Sequence, residues 1–429
     1  MSEILWYIAG VIFIGVGIGF SIGWHELGHL IPAKLFGVKV PRYMIGFGPT
    51  LFSRKRGETE YGIKAIPLGG YITMIGMYPP AKPGVKQRKG FVGDSIMAAR
   101  SAHSEFVTEA DTNRMFYQLP VLKRIAVMFG GPFMNLLLGV VLTLVTLVGF
   151  GSYTRSTTIE SIADCVPSSF TVNVACSVID RVSPAKEAGL LPGDKVLSID
   201  GHAVSNWDEI ISYTTARGGQ VSLVVVRGNT RQRISLTPVV VTRPVVSPDG
   251  SSVQQRVPFF GVVLKPQRQH QSVATALGTA GSTIAQTFNL IGTLPVQVYN
   301  SLSATIQGQH RTGSGAVSIV GVGQAAGEIA SNQQASLSDK VSSGLMMLAS
   351  LNFALFAFNM IPLLPLDGGH IAGGVYEAIK RGIWRLRRKP DPGPADTALL
   401  MPVTYVVSGV LLLLSVILIL LDLINPVSF

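Results

Sequence analysis

Residues 25–29 read His-Glu-Leu-Gly-His and stand at the end of an uncharged apolar run. On a helix the two histidines lie on one face, one turn apart, so both rings can reach a single ion. Glu26 is offset from that face and can meet a water at the ion rather than the ion itself. Histidine is scarce, 7 of 429 residues, which makes a chance match improbable. The competing reading is two histidines on a helix face at a membrane boundary. It leaves unexplained why ionisable groups, costing on the order of 2.5–3.5 kcal/mol each when charged, should sit at membrane depth. Catalytic zinc commonly takes two histidines and one carboxylate and keeps a position open.

The elements that must hold such a site are membrane helices. Mean hydropathy is +0.41, 47% of residues are hydrophobic and only 14% are charged. Four stretches, 4–24, 125–154, 341–366 and 397–421, contain no Asp, Glu, Lys or Arg and are long enough to span. The first does not read as a cleaved signal, because Glu3 replaces a basic n-region and the metal motif follows directly.

Net charge is +11, unevenly spread. Residues 30–124 hold 15 Lys/Arg against 6 Asp/Glu, and Lys380, Arg381, Arg385, Arg387, Arg388 and Lys389 follow the third span. Residues 155–340 are nearly balanced, with 14 basic and 11 acidic. The positive-inside rule then predicts 30–124 and 380–396 in the cytoplasm, with 155–340 and both termini outside. The basic surplus is read as orientation, and no nucleic-acid module interrupts the membrane pattern. Cys165 and Cys176 both fall in the exterior segment; a disulfide and two free buried thiols are both open.

This topology tests the site. Spans 1 and 3 both run outward to inward, so His25 and His29 lie near the cytoplasmic end of one. Asp367, the first charged residue after Lys340, lies near the same end of the other. Asp-Gly is also a turn signal, but the matching depth favours Asp367 as third ligand. His370 as a fourth ligand would close the open position, so a supporting or surface role is expected.

His-Glu-x-x-His on a first membrane helix, with Asn359-Met-Ile-Pro-Leu-Leu-Pro-Leu-Asp367-Gly-Gly on a late one, resembles the site-2 protease family of intramembrane zinc metalloproteases. Gly46-Phe-Gly-Pro49 with the run 57–71 is similar to the family's membrane-associated β-hairpin region. Gly131-Pro-Phe-Met-Asn135 is similar to its second-span motif, and 189–201 resembles part of a PDZ domain, as in bacterial regulatory members. Pro32 departs locally and predicts a helix end shortly after the motif.

The resemblance implies a polytopic α-helical membrane protein with about four transmembrane helices, a β-hairpin region and one inserted extracytoplasmic PDZ domain. The expected layout is helix 1 over 1–34, hairpin region 35–78, a loop-like cytoplasmic linker 79–120 and helix 2 over 121–154. PDZ follows over 155–245, then an exterior or interfacial connector 246–340, helix 3 over 341–370, a cytoplasmic loop 371–396 and helix 4 over 397–424. The uncharged run 273–297 is read as interfacial rather than a fifth span.

It also implies an enzyme of the bacterial inner membrane that cleaves single-pass membrane proteins, such as anti-sigma factors or remnant signal peptides, after a first exterior cut. One Zn2+ per chain would be held by His25, His29 and Asp367, with Glu26 as general base. A helical substrate has every amide bonded internally and lipid offers no replacement, so the site must unwind it and supply a strand edge. Residues 61–66 and 69–75 read as short strands, and Tyr61, Ile63, Ala65, Gly69 and Gly70 are candidates for positioning that substrate. Asn359 is expected to hold substrate backbone or the oxyanion, and Asn135 to bond between helices. In the exterior domain 177–182, 195–200 and 221–227 read as strands and 206–215 as a helix capped by Asn206. That domain is expected to exclude substrates with bulky exterior parts. A PDZ scaffold with a degenerate site would have no need of Glu26, and a cation transporter would spread ionisable groups along a path rather than gather them at one depth.

Overall fold

The computed structural model describes residues 2–81, 90–102, 104–166, 176, 180–246, 252–309, 311 and 316–427. They form two compact units, 1–146 with 273–429, and 147–272.

The first unit begins with α1 (Ser2–Leu35), which contains the histidine motif, passes through Pro32 and is followed by a turn at Gly37, φ +82°. Two long, bent strands follow, β1 (Arg42–Arg56) and β2 (Thr59–Thr73). Where short strands 61–66 and 69–75 were expected, one continuous β2 folds around β1. Tyr43 pairs with Ile72 on one side and Tyr61 on the other, while Tyr61 also pairs with Arg54. Residues 60–63 are therefore hydrogen-bonded on both sides, and 70–73 form an edge. The loop expected over 79–120 is ordered in its described part. It contains α2 (Phe91–Ser101) and three 3-10 turns, tied down by Lys39, which donates to Asp111 at 2.6 Å and to the Phe106 carbonyl at 2.8 Å. Lys39 and Thr108 hold the Asp111 carboxyl well below the usual carboxylate range.

α3 (Val121–Leu144) continues as a π-helical turn to Phe150 and leads into the second unit. There β3 (Ser152–Ile162), a one-turn α4 (Pro184–Glu187), β4 (Lys195–Ile199), the short β5 (His202–Ala203), α5 (Trp207–Arg217), β6 (Val221–Arg227) and β7 (Thr230–Leu236) precede a separate hairpin. That hairpin is β8 (Val239–Val246) with β9 (Ser252–Phe259), and β10 (Val262–Gln269) closes the unit. The sheet order is β10-β3-β4-β6-β7, with β5 on β4. β6 alternates as its sequence predicts: Val221, Leu223 and Val225 face a core shared with Ile159, Leu190, Trp207 and Ile210. The Asn206 side chain caps α5, accepting from the Glu209 amide at 3.0 Å. The insertion extends past the expected boundary at 245 because β10 pairs with β3, Val262 opposite Ile162. Cys165 and Cys176 form a disulfide. Of the strand expected at 177–182, residues 177–179 lie outside the described residues, and Val182 bridges Cys165.

Burial raises the Asp194 carboxyl, but Arg227, with two contacts of 2.8 Å, and the Leu191 amide outweigh it and hold the group below its ordinary range. A depressed folded-state pKa contributes stability above the unfolded value of about 3.9 and loses it as pH falls. Arg227→Met is expected to destabilise the unit by taking the charged partner from the Asp194 carboxylate. Native-state hydrogen exchange of β4 and β6 amides at neutral pH measures it, and the deficit relative to wild type should shrink toward pH 3.

Back in the first unit, α6 (Val273–Ile306) is uncharged and packs Ala280 and Ile284 near Ala349, Phe353, Leu136 and Val140. α7 (Ile319–Ser331), α8 (Leu337–Asn359), α9 (Asp367–Leu386) and α10 (Met401–Ile424) complete the chain. Among the described residues four helices are long and apolar enough to cross a membrane: Ser2–Leu35, Val121–Phe150, Leu337–Asn359 and Thr397–Ile424. The segment expected as helix 3 through residue 370 breaks after Asn359, where Pro362 and Pro365 interrupt it. Asp367 opens a separate helix, α9, in place of the expected loop 371–396. α9 is amphipathic: Val375, Tyr376, Ile379 and Ile383 are exposed beside Lys380, Arg381 and Arg385. The buried Glu377 fastens it, accepting from Arg124 of α3 at 2.5 Å and from the Ala395 amide at 2.7 Å.

Candidate metal centre

Three helix contacts set the site. α1 and α8 run parallel, because Phe13, Gly17 and Ser21 meet Gly344, Leu348 and Asn352 in that order. α1 and α3 run antiparallel and nearly touch. A Cβ on Gly28 would lie 2.2 Å from the Gly130 carbonyl oxygen, and one on Gly130 would lie 2.0 Å from that of Gly28. Only glycine at both positions permits this approach. Gly368 and Gly369 let the 361–364 loop fold back over the start of α9, where added Cβ atoms would come within 2.2 Å of the Ile361 oxygen and 2.5 Å of the Leu364 nitrogen.

These contacts bring His25, His29 and Asp367 together. Nε2 of His25 and Nε2 of His29 are 3.1 Å apart, and Asp367 Oδ2 lies 3.2 and 3.3 Å from them. Tetrahedral zinc with bonds of about 2.0–2.1 Å separates its donors by about 3.3 Å, so the triangle has the size of one zinc face. His29 Nδ1 lies 2.8 Å from the Val127 carbonyl oxygen. A carbonyl only accepts, so Nδ1 carries the proton and Nε2 presents its lone pair. Asp367 Oδ2 is buried and has no hydrogen-bond partner among the described residues. Two ring lone pairs and an unpaired carboxylate oxygen converging in a buried site repel one another unless a cation joins them.

Glu26 is buried beside the group. Its Cγ would be 3.0 Å from a Cβ on Gly70, and the Ile72 amide hydrogen-bonds its carboxylate. The open edge 70–73 therefore faces Glu26. Gly69 (φ +102°) seats the Phe47 ring. Tyr61, whose hydroxyl accepts from Lys34 at 3.0 Å, and Ile63 belong to the strand segment flanked on both sides, so neither can receive a further strand; Ala65 lies beyond it. Burial, with Glu26 and Tyr61 nearby, pushes the Tyr43 phenol up to about 12, so it stays neutral and donates to the Gly23 carbonyl at 2.6 Å. Asn359 ends α8 and donates to the Leu355 carbonyl at 3.0 Å. His370 stands against Tyr78, ring centroids 6.2 Å apart, outside the ligand group. The interhelical hydrogen bond expected for Asn135 is not formed among the described residues, although its side chain is fully buried.

Gly131 was legible only as part of a motif, and its role is spatial. A Cβ there would fall 2.2 Å from His29 Nε2. Gly131→Ala is expected to displace that ring and weaken zinc binding by on the order of tenfold or more, read by competition with a chelating dye. Unchanged affinity would mean that the ring has other room.

A family model described as peptidase family M50 matches residues 13–390. The zinc metalloprotease Rip1 of Mycobacterium tuberculosis is 29% identical over 442 residues, covering 98% of each chain. Rip1 of Mycolicibacterium smegmatis is 30% identical, again over 98% of each. The metalloprotease MmpA of Caulobacter vibrioides is 26% identical over 83% of each.

Proposed function

The chain belongs to peptidase family M50, and from that premise we propose that it is an intramembrane zinc endopeptidase cleaving single-pass membrane proteins after a first exterior cut. The observation that carries this is the buried triangle of His25, His29 and Asp367 at the meeting of two parallel apolar helices, with Glu26 alongside. Those three residues would hold one zinc ion, which when bound supplies Lewis acidity to a water and to the scissile carbonyl.

The chain's own groups do the rest. Glu26 takes the proton of the attacking water and hands it to the leaving amine. The Ile72 amide holds the Glu26 carboxylate in place. The edge 70–73 receives an unwound substrate segment by strand addition, replacing the hydrogen bonds the substrate helix gives up. Gly70 keeps that edge close to Ile22 and Glu26 of α1, Gly69 makes room for the Phe47 ring beside it, and Asn359 holds the substrate backbone or the developing oxyanion. An apolar cavity of about 870 Å³ beside the Asp367 loop, lined by Leu363, Leu364, Ile96, Met97, Leu400 and Val403, gives room for apolar side chains.

The bacterial relatives support a bacterial cytoplasmic membrane location, and the charge distribution supports the metal near the cytoplasmic side and both termini outside. The amphipathic α9 fits that interface. Residues 147–272 are read as a PDZ-like exterior unit that excludes substrates not yet trimmed; substrates of the anti-sigma or remnant-signal-peptide kind fit this order of cuts. Nucleic acid has no part in this reading. The test is metal analysis with chelation. Purified protein should carry about one zinc per chain, and a strong chelator should abolish cleavage of a membrane substrate, with zinc restoring it. Cleavage that survives complete zinc removal would defeat the proposal.

A further inference from the structure

His29 has a fixed tautomer because the Val127 carbonyl accepts its Nδ1–H at 2.8 Å. His25 presents the same Nε2 to the site, so its Nδ1 must also carry a proton. Yet His25 Nδ1 is buried with no partner among the described residues. Metal-bound histidines nearly always donate that second N–H to something, because the acceptor fixes the ring and raises its basicity.

The packing of α1 on α3 indicates the acceptor. The helices are antiparallel, with Gly28 against Gly130 and the Trp24 indole N–H donating to the Met134 carbonyl at 3.0 Å. The His29 ring lies over Gly131. One turn back along α1 is His25, and one turn on along α3 is Asn135; each step is four residues, about 6 Å of rise. The arrangement that sets His29 on Gly131 thus sets His25 opposite Asn135. Asn135 is 0% exposed, and neither its Oδ1 nor its Nδ2 has a hydrogen-bond partner among the described residues. Leaving an amide buried and unpaired is unfavourable, which calls for a role. A second fully buried amide among the described residues, Asn352, donates to Ser21 Oγ at 2.9 Å, one turn from His25, and to the Leu348 carbonyl at 2.8 Å, and its Oδ1 is also without a partner there, so it serves as the control.

We propose that Asn135 Oδ1 accepts the Nδ1–H of His25 through one water and is the positioning residue of that ligand. It does for His25 what the Val127 carbonyl does for His29. This rests on the metal centre proposed above.

The experiment uses the full chain in detergent and measures Zn2+ affinity by competition with a chelating dye, alongside thermal unfolding of the metal-free protein. Asn135→Leu should bind zinc about 10–100-fold more weakly, while the metal-free protein still unfolds in a single cooperative transition. Asn135→Asp, which keeps an acceptor, should bind within about threefold of wild type. Asn352→Leu should also stay within that range. If Asn135→Leu does not fold, Asn135→Ala carries the same expectation. Wild-type affinity in both apolar variants, or equal weakening in Asn352→Leu, would overturn the assignment. A wild-type protein that binds no zinc would instead sink the metal centre itself.

Discussion

Glu26→Gln is expected to keep its zinc and to lose peptide cleavage by about 10²–10⁴-fold, the usual worth of a positioned general base. The separation of the two effects follows from geometry. The three converging donors belong to His25, His29 and Asp367, and Glu26 is not among them. Its carboxylate is held by the Ile72 amide. Glutamine keeps an oxygen that can accept this bond, so the side chain stays in position but has lost its basicity. Zinc content and the rate of cleavage of a membrane-embedded reporter, measured on the same preparation, decide the matter. Retained cleavage would remove Glu26 from its assigned role, and lost zinc would mean that it acts as a ligand.

Asp367→Ala is expected to have the opposite signature, with metal and activity lost together. Its Oδ2 forms two sides of the donor triangle, at 3.2 and 3.3 Å from the histidines. Without it two imidazoles remain, one fewer than the three protein ligands a catalytic zinc normally has. Zinc per chain should fall well below one after dialysis, while α9 remains folded, because its hold on α3 is the Arg124–Glu377 pair rather than the carboxylate. Circular dichroism together with zinc analysis reads both. A variant that kept stoichiometric zinc would show that some other group completes the ligand set.

The local patterns were readable in the chain alone. His25, Glu26 and His29 are spaced for one helix face whatever the fold, and uncharged runs long enough to span have few other uses. The direction argument from the basic clusters predicted that spans 1 and 3 are parallel, and the order Phe13–Gly344, Gly17–Leu348, Ser21–Asn352 agrees. The alternation of β6 and the Asn206 cap were equally local. What sequence patterns could not supply was anything set by approach between distant segments. The break after Asn359 and the start of α9 at Asp367 depend on two prolines and on glycines whose value lies in the loop packed over them. The wrapping of β2 around β1, which leaves 70–73 and not 61–63 as the edge at Glu26, is a matter of register between strands, and periodicity within a strand is blind to register. Gly131 under His29 and Asn135 opposite His25 are products of the helix crossing at Gly28 and Gly130. Spacing along the chain determined which groups could bind an ion; only the crossing of the helices decided which neighbours orient them, because hydrogen bonds and steric contacts act over a few ångströms and the residues concerned are about a hundred positions apart.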